Sequence, residues 1–204
     1  MTASLPAPGR ILPANPFATR FTQPGMLAPC DADGFPIDTA AVAAGLPSAA
    51  AALAIIAPHG HGKTTLLLAL LQEASALGRP VALRRIGSWG DACRLLGAVA
   101  LGQRGGIIGI DGWDAVPGAL RLAVRVLAGL RRQTLLVTAH SPCGLPELAR
   151  LRTSSRLLAA LVDRLPPHGG VIGPDDVAEA YANHSGNIRD ALFDLYDRFE
   201  RQIR

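Results

Sequence analysis

Lysine is all but absent from this chain: Lys63 is the only one in 204 residues, beside nineteen arginines. Aromatic residues make up 4% of the sequence, so the 49% hydrophobic content must build a core mostly from Ala, Leu, Val and Ile. The three cysteines, Cys30, Cys93 and Cys143, are scattered without metal-ligand spacing. Such a set excludes a disulfide framework and reads as free thiols in a reducing cytoplasm. The longest low-polarity stretch, residues 49–58, falls far short of the roughly 20 residues that a membrane span needs. Residues 1–10 do not pair a basic start with an apolar run, so no secretory signal is read there. No internal repeat is found.

What is abundant is Ala, Gly, Pro and Arg, a usage that a GC-rich genome explains. The net charge of +4 is unevenly spread. Residues 1–56 carry two Arg against three Asp, residues 57–164 carry Lys63 and thirteen Arg against six acids, and residues 165–204 carry four Arg against seven acids. A basic middle suits nucleotide phosphates and offers a route to DNA, although solvated helix faces account for it equally well. No dedicated DNA-reading module is visible.

Along the chain, residues 1–50 read as a Pro-rich arm or linker, in which Pro6, Pro8, Pro13, Pro16, Pro24, Pro29 and Pro36 exclude long regular elements. A short helix is expected around 38–44. Residues 51–153 alternate strand-like runs (52–57, 80–86, 106–110, 134–138 and a weaker 148–152) with helix-like segments (64–77, 89–99 and 117–130). Short apolar strands alternating with helices predict an α/β core of three layers with a mostly parallel sheet. Residues 154–204 hold three helix patterns and no strand, predicting a small all-helical lid. In the last of them Ile188, Ala191, Leu192, Leu195 and Phe199 recur on one face.

The lone lysine stands in Ala57-Pro58-His59-Gly60-His61-Gly62-Lys63-Thr64-Thr65. This fits G-x-x-x-x-G-K-[ST] except at its first position, where Ala57 is tolerable if its φ is negative. In such a loop the backbone of residues 58–65 wraps phosphates, with N–H donors from His59 onward because Pro58 has none, Lys63 reaches the β/γ oxygens and Thr64 ligates Mg²⁺. A preceding apolar strand and a following helix, whose N-terminus favours anions, are the context this chemistry needs. His59 and His61 read as loop fillers before metal ligands. Asp111 ends an apolar strand, where a carboxylate serves Mg²⁺ through water or simply closes the strand. Gly112 follows it where many hydrolytic sites carry Glu. Asp114 then either swings toward the γ-phosphate or caps the helix opening near Pro117. Trp113 reads as packing. Thr138 and His140, at another strand end, either meet the γ-phosphate or lead into a polar loop. Arg189 lies in the first turn of a helix, unfavourable for the helix dipole, so a partner is expected: a phosphate, or an acid such as Asp190 or Asp194.

Together these motifs resemble the AAA+ ATPase superfamily of P-loop NTPases, in the branch of origin-recognition proteins and the general-secretion and transposition ATPases. The resemblance spans residues 51–204. It implies a Walker A loop in Gly62, Lys63 and Thr64, and a Walker B aspartate in Asp111. It also implies a first sensor near Thr138 and His140, and a second sensor in Gly186-Asn187-Ile188-Arg189. Asn15-Pro16-Phe17 resembles the linker that packs near adenine, which would put Phe17 beside the base. The form Asp111-Gly112-Trp113-Asp114 is instead similar to the STAND class of signalling NTPases. Arg150, Arg152 and Arg156 lie about where a trans-acting finger would sit.

The expectation is a cytoplasmic, Mg²⁺-dependent ATPase, slow or partner-stimulated, with ATP between core and lid. Lys63 and Arg189 would hold the phosphates, Thr64 and Asp111 the metal, and Asp114 the attacking water. A non-hydrolysing nucleotide switch read by a protein partner is the alternative, and a small-molecule kinase comes third. The absence of a Leu-Ser-Gly-Gly-Gln stretch argues against an ABC-type ATPase. The implied partners are a nucleotide, an unidentified protein, DNA along the Arg-rich middle and a nucleotide-dependent second copy. The short lid and missing Glu weigh against a hexamer and fast turnover.

Overall fold

The structure, a computed structural model, describes residues 14–167 and 169–203. The first thirteen residues of the Pro-rich arm, with Pro6, Pro8 and Pro13 and the region read for a secretory signal, lie outside the described residues. Two short helices, α1 (Thr19–Thr22) and α2 (Thr39–Ala44), precede the sheet, and Asp38 caps α2 by accepting from the Ala41 amide at 2.9 Å.

Five parallel strands then alternate with helices: β1 (Ala51–Ile56), α3 (Lys63–Ala76), β2 (Val81–Arg85), α4 (Trp89–Leu101), β3 (Ile107–Asp111), a 3-10 turn (Trp113–Ala115), α5 (Gly118–Leu130), β4 (Thr134–Ala139) and β5 (Glu147–Arg150). The sheet order is β2-β3-β4-β1-β5, all pairs parallel. The central strand β4 is buried along its whole length, whereas β2 and β5 are edges with exposed residues. That matches the composition: continuous apolar runs belong to strands covered on both faces.

Strand alternation sorts the core into two layers. Ala54, Ile56, Ile108, Ile110, Leu135 and Val137 face α4 and α5 through Leu95, Val99, Val124 and Ala128. Ile55, Ile107 and Leu136 face α2 and α3 through Ala43, Leu66, Leu67, Leu70 and Ala74. Gly109 in β3 lets α3 close in, since a Cβ there would stand 2.6 Å from Leu71 Cδ1. Because α3 lies on one face and α4 and α5 on the other, the chain leaves β1 and β3 in opposite directions. Beside β1 and β4 is therefore the switch point, and ligands in open α/β sheets bind outside the strands' C-terminal ends there.

The last three helices, α6 (Ser155–Val162), α7 (Pro174–Asn183) and α8 (Ile188–Ile203), enclose a core of their own built on Leu158, Ala180, Ala191, Leu195 and Phe199. The Pro-rich segment completes it instead of lying loosely on the surface. Phe17 is fully buried there against Phe199, with ring centroids 6.3 Å apart. Asn15 Nδ2 donates to Tyr196 O (3.1 Å) and Glu200 Oε1 (3.0 Å), and Arg164 Nη2 donates to Gly34 O (2.8 Å). No helix among the described residues is long and apolar enough to cross a membrane.

Candidate functional site

The Gly-rich turn joins the buried end of β1 to the start of α3. Gly60 and Gly62 carry φ of +71° and +83°, which a side chain disfavours, and Ala57 is not among the positive-φ residues. Gly62 caps α3 without any side-chain bond, so the first-turn amides are not capped by a residue of the helix itself. Lys63 is 8% exposed, and its Nζ donates to Ala57 O (2.7 Å) and Pro58 O (2.6 Å). Burial pushes its ammonium below the ordinary lysine range, the attraction of Asp111 and then Asp114 opposes this, and the Arg189 cation reinforces it.

Asp111 lies at the C-terminal tip of β3. Its carboxylate accepts from Thr64 Oγ1 (3.0 and 3.1 Å) and from Thr138 Oγ1 (2.7 Å), and Thr138 in turn accepts from the Gly112 amide (3.0 Å). One carboxylate thus joins α3, β3 and β4. Gly112 has φ +94°, and a Cβ there would sit 2.8 Å from Ile86 O, which explains why no acid follows Asp111 directly.

Asp114 does not cap α5. The 3-10 turn carries its carboxylate to the end of β4, where Oδ2 accepts from the His140 amide (2.6 Å) and pairs with His140 Nδ1 (2.8 Å). The α5 cap falls instead to Pro117, without a side-chain bond. The His140 ring stacks on His59 with centroids 3.8 Å apart. His59 is held below the ordinary histidine value, first by His140, then by desolvation and the cations Lys63 and Arg189, with Asp114 opposing. Trp113 is packing, 1% exposed.

The helical side approaches through the N-terminus of α8. Asn187 presses on the loop so closely that a Cβ on Gly60 would overlap its side chain. Asn187 also bonds Asp190, and Asp194 is taken by Arg198, so neither acid holds Arg189. Arg189 is exposed and makes no hydrogen bond or ion pair among the described residues.

A cavity of about 630 Å³ lies between these walls. Of the residues singled out in the sequence, His59, Gly60, His61, Gly62, Lys63, Thr64, Thr65, Asp111, Thr138, His140 and Arg189 line it. Pro58, Asp114 and Phe17 do not. Phe17 is a correction: its ring is spent inside the helical core, because Asn15 pins the arm onto α8 and turns the ring inward. The arm lines the cavity instead with residues such as Pro24, Leu27 and Pro29, opposite Leu161, Leu192 and Phe193. Sequence reasoning missed these, because the arm has no periodicity to read. It also passed over Arg85, which lines the cavity from the tip of β2, a strand end on the same sheet edge as Asp111. Of the three arginines weighed as fingers, Arg150 pairs with Glu147 and Arg156 with Asp33, and Arg152 has no ion pair among the described residues.

No family model matches this chain, and no curated protein matches it.

Proposed function

We propose that the protein binds a nucleoside triphosphate with Mg²⁺ in this cavity and acts as a slow or partner-stimulated ATPase, a P-loop NTPase of the AAA+ type. The observation that carries this reading is the convergence of Lys63, the uncapped start of α3 and the Thr64–Asp111–Thr138 cluster at the sheet's switch point. A cation, free amides and a hydroxyl–carboxylate pair meet there within one cavity.

The donor set suits Mg²⁺. Thr64 and Asp111 offer hard oxygens about 3 Å apart, few enough that the ion keeps several waters, as Mg²⁺ prefers. When bound, it would neutralise charge on the β and γ oxygens. Lys63 already points its ammonium along the loop and exchanges carbonyl partners for phosphate. Arg189, without an acid of its own, closes on the same phosphates from α8. The apolar end, from Leu27 and Pro29 to Leu192 and Phe193, is the place for the base. Thr138 fixes Asp111, and Asp114 fixes His140. The imidazole, which lines the cavity, is then the group that meets the γ-phosphate side and orients water, with Asp114 acting through it.

A second reading is favoured by the Asp114–His140 pair: with the carboxylate already engaged, the protein binds nucleotide as a switch and does not turn it over. Calorimetric titration with ATP and Mg²⁺ tests binding, and phosphate release tests turnover. Asp114→Asn and Lys63→Ala separate the two readings. Turnover lost in both variants, with binding lost only in Lys63→Ala, supports the ATPase. Wild-type binding without release in the presence of DNA or cell extract supports the switch.

A further inference from the structure

Helices α4 and α5 lie side by side over one sheet face, and the surface they turn outward is apolar. On α5, Leu122, Val126 and Leu130 follow at i, i+4 and i+8 and are 62%, 55% and 70% exposed. Leu101 at the end of α4 is 87% exposed. Arg131 ties the two helix ends together, its Nη2 donating to Gly102 O at 2.6 Å, so Leu101 and Leu130 share one edge. Between the large side chains the outward residues are small: Gly97, Ala100, Ala119, Ala123 and Gly129 are exposed. A Cβ on Gly97 or Gly129 would meet nothing within 4 Å. Large side chains around a floor of small ones make a shallow groove. The α3 layer opposite presents little comparable, with Leu77 its exposed large apolar residue.

The charge around this groove has one sign. No Asp or Glu occurs from Ala92 to Ile110, nor from Ala115 to Pro146, while those stretches hold Arg94, Arg104, Arg121, Arg125, Arg131 and Arg132. Arg94 pairs with Asp91, and Arg121 and Arg131 donate to backbone carbonyls. Arg104, Arg125 and Arg132 are exposed, and their guanidinium groups make no hydrogen bond or ion pair among the described residues. An exposed apolar face rimmed by uncompensated cations is a binding surface in search of its complement.

We propose that the α4–α5 face docks an acidic amphipathic helix of a partner protein, whose apolar stripe sits on Leu101, Leu122, Val126 and Leu130 while its carboxylates meet Arg104, Arg125 and Arg132. In helix-in-groove recognition an amphipathic helix lays its i, i+3, i+4 and i+7 apolar anchors into such an apolar groove. A second copy joined about a two-fold axis would bring the same arginines together without an acid between them. A nucleic acid would satisfy the arginines and leave the leucines against phosphate. The face lies on the flank of the sheet, away from the cavity at the strand tips, so docking and nucleotide binding do not compete.

The test uses a fluorescent synthetic helical peptide with Leu along one face and Glu elsewhere, titrated against the full chain with anisotropy as the readout. Two control peptides carry Lys for Glu and Ser for Leu. Binding of the Glu peptide is expected, weakened about tenfold or more by Val126→Glu and several-fold by Arg125→Glu, as for a buried anchor and a rim charge. Leu77→Ser on the opposite layer should leave it unchanged, and all variants should keep the wild-type melting temperature. Binding of the Lys peptide, or indifference to Val126→Glu, overturns the proposal. So does a concentration-dependent particle mass that Val126→Glu abolishes, which assigns the face to a second copy. Sedimentation with phosphatidylserine vesicles, again lost in Val126→Glu and without peptide binding, assigns it to a lipid surface and equally overturns the proposal.

Discussion

On the sheet side of the cavity the polar side chains are already bonded to one another: Lys63 to the carbonyls of Ala57 and Pro58, Thr64 and Thr138 to Asp111, His140 to Asp114. On the helical side Arg189 is bonded to nothing among the described residues, and the contact across the gap is the packing of Asn187 on Gly60. The first wall is preorganised by folding, and the second depends on what enters. On the proposed reading a group in the bonded wall would serve both fold and ligand, whereas Arg189 would serve only the ligand. Preorganisation reduces what a ligand must spend on ordering its site, which makes the sheet wall the seat of affinity and the helical wall the reporter of occupancy.

The largest effect expected lies in neither wall but beneath the second. Phe17→Ala removes a fully buried ring from the helical core and should cost about 3–5 kcal/mol in urea unfolding. Loss of stability without direct loss of a cavity-lining group would show that the helical wall is held up by the arm. Next comes Lys63→Ala, expected to weaken nucleotide binding by about 2–3 kcal/mol, on the order of a hundredfold by calorimetry. Its ammonium is held below the ordinary lysine range by burial, so the charged form costs stability in the fold. That cost is relieved as pH rises through the folded value, so alkaline conditions should stabilise the wild type relative to Lys63→Met. Arg189→Ala should weaken binding by roughly tenfold while shifting stability by less than about 0.5 kcal/mol, as for an exposed residue without a hydrogen bond or ion pair among the described residues. A comparable loss of stability would break the contrast between the walls.

The smallest effect concerns pH. Arg198 holds the Asp194 carboxyl below its ordinary value of 3.8, burial opposing and His184 assisting. A depressed carboxylate contributes stability that is fully present above its unfolded value and is lost as pH falls through the folded one. Urea midpoints should therefore drop as pH falls below about 4, and less steeply in Arg198→Met.

Much of this arrangement was legible in the residues. Strand-like runs of five to seven residues, the Gly-Lys-Thr turn and the acid ending β3 sufficed to expect an α/β core with a mostly parallel sheet, and five parallel strands are present. The cluster of Lys63, Thr64, Asp111 and Thr138 follows from strand ends that share one sheet edge. What escaped was whatever depends on the path of irregular chain. The 3-10 turn at Trp113 hands Asp114 to His140, and no local pattern marks it. Phe17 looked available to a ligand, but Asn15 reaches α8 across 181 positions of sequence and fixes the ring inside. The exposed apolar face of α5 was hidden as well, since apolar residues fill most of its circumference apart from Arg121 and Arg125 and do not announce which side stays in water.

The central claim is that the bonded wall and Arg189 close on one triphosphate. Calorimetric titration of ATP with Mg²⁺ into wild type, Lys63→Ala and Arg189→Ala measures it directly. The account predicts one site per chain, weakened about a hundredfold in Lys63→Ala and about tenfold in Arg189→Ala, with ADP less sensitive than ATP to Arg189. No heat of binding for the wild type, or equal affinity in all three proteins, would contradict it.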